Sequence, residues 1–83
     1  MDDEIRRVLA AHGRLSVDAE GLAADANLYN AGLSSHATVN VMLALEDAFD
    51  VEFPDAMLRK STFGSVESLR VALQQLLSDP VSS

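Results

Sequence analysis

The sequence predicts an all-α fold, a small bundle of three longer helices and one short one. Three observations carry this reading. Apolar residues recur at helical spacing in three separate stretches, around Ile5–Leu9, Val41–Leu45 and Leu69–Leu73. Serines that can cap a helix precede the second and third of these, at Ser34 and Ser65. No stretch alternates convincingly enough to read as a strand. With 83 residues there is room for one small domain, residues 1–83, and no second one. The hydrophobic fraction is 48% and the aromatic fraction 5%, so the core is expected to be aliphatic.

The first helix is expected over Asp2–His12, where Ile5, Val8, Leu9 and His12 fall at i, i+3, i+4 and i+7. Acids crowd its first turn, where the helix dipole favours them, and Gly13 is the expected stop. His12 has a structural place near the helix end. Arg14–Leu33 is a connection of about twenty residues, long for an irregular segment. Its apolar residues Leu15, Val17, Leu22, Leu28, Tyr29 and Leu33 are anchors that a linker would lack. Asp18 can cap a short turn running through Ala24.

The chain then turns at Gly32 and enters the second helix, Ser34 to about Ala48. Ser34 is the better N-cap of two serines, which leaves Ser35 exposed at the first helical position. There the backbone N–H groups and the positive end of the helix dipole favour an anion such as a phosphate diester. Projected at about 100° per residue, Ala37, Val41, Ala44, Leu45, Ala48 and Phe49 face the core, flanked by Thr38 and Met42. Ser35, Val39 and Leu43 form an outward row with His36, Asn40, Glu46 and Asp47 around it. An apolar strip rimmed by acids suits a docking surface. Cover by the preceding loop would account equally well for Val39 and Leu43.

Phe53-Pro54 ends any helical pattern, because proline disfavours helical geometry in the residue before it. Asp55–Lys60 has room for the short helix, with Met57 and Leu58 inward, and Ser61–Gly64 breaks the pattern around Phe63. Ser65 caps the last helix, with Val66, Leu69, Leu73, Leu76 and Leu77 along one face. Asp79-Pro80 closes it, and residues 79–83 are expected to form a frayed tail.

Composition excludes several functions. Six basic against thirteen acidic residues give a net charge of −7, which disfavours nucleic acid and anionic membranes and favours basic protein partners. The chain has no cysteine, so disulfides, zinc-thiolate sites and cysteine nucleophiles are absent. The acids Asp50, Glu52 and Asp55 do not make a calcium loop, because Pro54 takes a ligand position and the required glycine is missing; no metal site is expected. His36 directly follows Ser35, so on a helix their side chains splay by about 100° and cannot pair for hydrolysis. Three acids follow Met1, unlike a signal peptide, and no apolar run could span a membrane. A cytoplasmic protein, monomeric and without catalytic residues, is expected.

The second helix and its approaches resemble the acyl carrier protein family. That family attaches 4′-phosphopantetheine to the serine of an Asp-Ser-Leu motif opening its second helix. Ser34-Ser35-His36-Ala37-Thr38-Val39 through Ala44-Leu45-Glu46-Asp47-Ala48-Phe49-Asp50 matches without a gap. Leu28-Tyr29-Asn30-Ala31-Gly32-Leu33 looks like the family's approach to the serine, and Val51-Glu52-Phe53-Pro54-Asp55 like its exit. Ser34 replaces the usual Asp and His36 the usual Leu, while Ser35 is in register.

The resemblance implies a non-catalytic acyl carrier. A phosphopantetheinyl transferase would move the arm from coenzyme A onto Ser35, flanked by Ser34 and His36. The arm would hold acyl or aminoacyl cargo as a thioester and present it to loading and acyl-transferring enzymes. Their basic surfaces would meet Val39, Leu43, Glu46 and Asp47. The polar His36 beside the arm favours a specialised pathway with short, polar or aminoacyl cargo over a growing fatty acid, since a long chain needs apolar cover. The alternative is an unmodified acidic interaction module that uses the same outward face.

Overall fold

A computed structural model describes residues 1–78 of the chain. In order, its elements are α1 (Asp2–His12), a 3-10 turn at Ala19–Gly21, α2 (Ser35–Phe49), a second 3-10 turn at Asp55–Met57, and α3 (Val66–Ser78). No strand occurs among the described residues. The expected helix stop at Asp79-Pro80 and the frayed tail lie outside them.

The α1 helix packs against α2, α3 and the first 3-10 turn. Ile5 and Leu9 of α1, Val41 and Leu45 of α2, and Leu69 and Leu73 of α3 are fully buried together with Leu28 from the long connection. Burying each such side chain is worth about 1.5–3 kcal/mol. Arg70 Nη1 donates to Asp2 Oδ2 at 2.7 Å, which ties α3 to the start of α1.

The long connection is an ordered strap. The Arg6 guanidinium donates to the carbonyls of Ala19 and Leu22 at 2.7 and 2.6 Å. Asp18 caps the 3-10 turn by accepting the Glu20 amide. Further on, Glu67 N–H donates to Ala24 O at 2.8 Å and Leu28 N–H to Gly64 O at 2.7 Å, so the strap is bonded to the entry of α3. Ser65 and Ser68 complete that entry reciprocally, each hydroxyl accepting the other's amide at 3.0 Å.

Two glycines fit for different reasons. Gly32 has φ +113, and a Cβ there would come within 2.9 Å of Ser16 N. Gly13 ends α1 with φ −80, and the left-handed residue is the following Arg14, at φ 52. Close approach is what requires glycine at 13, where a Cβ would sit 2.7 Å from Leu9 O.

Several expected core positions lie at the surface. Ala48 is exposed, and Val17, Leu58 and Leu77 are each roughly half exposed. Ala48 and Leu77 fall in last turns, where the helical repeat continues past the cover of neighbouring elements. Val17 lies in the strap just beyond Ser16, whose amide and hydroxyl bond Ala31 O. The expected short helix at Asp55–Lys60 is a single 3-10 turn, because Arg59 N–H bonds back to Met57 O at 2.8 Å and turns the chain out of helical register. Leu58 is carried outward with it.

Candidate functional site

The start of α2 is fixed by its own side chains. Ser34, extended at φ −90 and ψ 164, accepts the Ala37 amide at 3.0 Å through its hydroxyl. The helical ladder begins with Thr38 N–H bonding Ser34 O at 2.9 Å, and Thr38 Oγ1 donates to the same carbonyl at 2.8 Å. The amides of Ser35 and His36 come ahead of that first bond and point out of the helix start. Ser35 is the first helical residue and is exposed, as is His36.

Beside Ser35 runs a groove of about 400 Å³, walled by Tyr29, Thr38, Val39, Met42, Leu58 and Phe63, with Arg59 and Lys60 completing its lining. Behind it, the buried rings of Phe53 and Phe63 pack at 5.4 Å with a 55° tilt and close the base of the loop over residues 54–62. That loop swings Leu58, Arg59 and Lys60 across to α2. Lys60 Nζ lies 4.9 Å from the Tyr29 ring centroid, a cation–π contact.

The expected outward row divides. Val39 is 51% exposed and Leu43 54%, so the preceding loop covers neither. Val39 opens into the groove of Ser35, whereas Leu43 and Asp47 face a second depression, shared with Val8 and His12 of α1. Glu46 is half-buried, and its carboxylate accepts the Phe53 amide at 2.8 Å. His36 is not among the groove residues. Arg59 and Lys60 escaped the sequence reading, since a loop has no periodicity to mark them. Their one signal is adjacency of two bases in an acidic chain.

A cap-stabilised helix start bearing an exposed serine, set in an all-helical fold closed by an ordered strap, is the arrangement that the resemblance to the carrier class implies. Comparison with known proteins agrees. Residues 5–70 match the family described as "Phosphopantetheine attachment site". The aminoacyl carrier protein of Agrobacterium fabrum (strain C58) is 42% identical over 77 residues, 93% of each chain. A carrier protein from Agrobacterium tumefaciens, solved with an engineered Bradyrhizobium japonicum glycine:[carrier protein] ligase and AMP, matches with TM-score 0.86 and 42% identity, covering 89% of this chain and 99% of that one. A structure of the Bradyrhizobium japonicum ligase complexed with glycylated carrier protein matches with TM-score 0.74 and 30% identity, covering 86% of this chain and 95% of that one.

The chain therefore belongs to the phosphopantetheine-attachment family: it is a carrier protein bearing 4′-phosphopantetheine, and it is not an enzyme. The residues present fit that group. An exposed hydroxyl, two amides ahead of the helical ladder and two neighbouring cations suit a phosphate ester. No helix among the described residues is long and apolar enough to cross a membrane.

Proposed function

We propose that Ser35 is the attachment residue and that the cargo is a small aminoacyl group, with glycine the first to test. The observation that carries the attachment site is the exposure of Ser35 at the first position of α2 while Ser34, beside it, is committed to the cap. In the attachment step Ser35 Oγ gives its proton to the transferase and bonds to phosphorus. The pyrophosphate link of coenzyme A breaks and the adenosine bisphosphate leaves. Once attached, the arm supplies a terminal thiol, the nucleophile that this cysteine-free chain lacks.

The aminoacyl reading is supported by the 42% identity to an aminoacyl carrier and by the relatives solved with a glycine:[carrier protein] ligase. Partners are then a phosphopantetheinyl transferase and an amino-acid:carrier ligase. They approach the acidic, partly apolar outward side of α2 through Val39, Leu43 and Asp47, with Glu46 at its edge. The chain serves as one domain and as a monomer in the cytoplasm.

The test is mass spectrometry of the protein after incubation with coenzyme A and a broad-specificity transferase, then with glycine, ATP and such a ligase. One phosphopantetheine should be added, mapped to Ser35 and lost in Ser35→Ala, followed by one glycyl group. Modification at Ser34, or persistence in Ser35→Ala, would overturn the attachment site. Failure to gain any mass would favour the unmodified interaction module. Efficient loading of fatty acyl groups with rejection of glycine would overturn the cargo.

A further inference from the structure

The sequence holds six basic residues. Three are committed to the fold: Arg6 to strap carbonyls, Arg7 to Glu4, and Arg70 to Asp2 and Glu67. Of the other three, Arg59 and Lys60 line the groove beside Ser35. Although the chain has thirteen acids, no carboxylate lines this groove, and neither cation pairs with one among the described residues. The Tyr29 ring holds the Lys60 ammonium at the groove wall. The loop that presents both cations is braced at its base by the buried Phe53–Phe63 pair. Two exposed cations with no carboxylate partner among the described residues therefore share the groove with Ser35.

We propose that Arg59 and Lys60 are positioning residues that hold the phosphodiester of the Ser35-linked arm, so that the pantetheine portion lies along the groove over Val39, Met42 and Phe63. This rests on Ser35 being the attachment residue. The diester keeps its negative charge at neutral pH, and the helix start beside it contributes the same sign of attraction as the two side chains. The apolar wall offers cover to the methyl groups of the arm. Both cations are solvent-exposed, so the hold is shallow and reversible, as a carrier that must release its arm to partners requires.

The experiment uses the full chain carrying isotope-labelled pantetheine, with the mass increase on Ser35 verified first. Nuclear Overhauser contacts should join the arm's methyl groups to Val39, Met42 and Phe63. In R59Q/K60Q the fraction of arm in the groove should fall about two- to fivefold, the range expected for exposed ion pairs, with a change in the phosphorus resonance. The charge-conserving R59K/K60R should keep the contacts. The wild-type protein in about 1 M salt, where the screening length is about 3 Å, should behave like the glutamine variant, which gives a readout free of mutation. Absence of arm contacts in the wild type would overturn the proposal. So would contacts that persist undiminished in both R59Q/K60Q and high salt. If Ser35 gains no mass, the attachment assignment and this proposal fall together; if Ser35 is modified and the arm ignores charge, only this proposal falls.

Discussion

Glu46 Oε2 accepts the backbone amide of Phe53 at 2.8 Å, across the exit of α2. The same residue's carbonyl takes the amides of Asp50 and Val51, so Glu46 organises the whole turn out of the helix. An acid that looks like part of a docking rim thereby also holds the segment that leads into the groove wall.

The pair Glu46 and Asp47 should separate under mutation. Glu46→Ala leaves the Phe53 amide without its acceptor and should cost about 1–3 kcal/mol in urea unfolding, while Glu46→Gln, which keeps a carbonyl oxygen there, should cost less. Asp47→Lys, on an exposed residue, should stay within about 0.5 kcal/mol of wild type. It should instead slow association with a basic partner, in a manner that added salt weakens, as stopped-flow binding can show.

Leu45 is fully buried at the centre of α2. Leu45→Ala should cost about 2–5 kcal/mol, a large part of the stability of so small a domain, and thermal unfolding followed by circular dichroism will measure it. Leu43→Ala, at a position 54% exposed, should leave the midpoint nearly unchanged and weaken partner binding without salt dependence.

Backbone conformation gives a pair of opposite outcomes. Gly32→Ala forces a side chain onto φ +113 and against Ser16, and should destabilise by more than about 1 kcal/mol. Asp50 caps α2 in the left-handed region at φ 53, where glycine is at ease. Asp50→Gly should therefore be neutral or stabilising by up to about 1 kcal/mol. Chemical denaturation of the two variants side by side checks both signs.

The net charge of −7 predicts that added salt stabilises the fold. The unfolding midpoint should rise as salt goes from about 10 mM to about 150 mM, over which the screening length shrinks from about 30 Å to about 8 Å. A midpoint indifferent to salt would count against self-repulsion.

What could be read from the sequence was what is local or periodic. The Ser34 cap, the glycine turn at 32 and the buried line of Val41 and Leu45 follow from chemistry within a few residues of each position. The all-helical class followed from the same periodicity. It failed at helix ends: Ala48 and Leu77 keep the repeat but lose the neighbours that would cover them. Leu58 failed because a 3-10 turn cannot hold the side that a full helix would turn inward. Contacts between distant residues left no mark on the pattern. The Arg6 bonds to the strap, the joining of Asp2 to Arg70 and the arrival of Lys60 beside Tyr29 depend on the assembled fold. The groove beside Ser35 is built from such contacts, so its serine was legible and its cations were not.

The grip of Arg6 on the Ala19 and Leu22 carbonyls bears on how related chains can be recombined. The strap that delivers Tyr29 and Gly32 to the serine is latched by a side chain lying outside it, on the first helix. A chimera that transplants residues 14–33 into another carrier brings the strap without its latch. Such a graft has to take position 6 along with it, whereas the strap's ties to the entry of α3 run between backbone groups that any chain supplies.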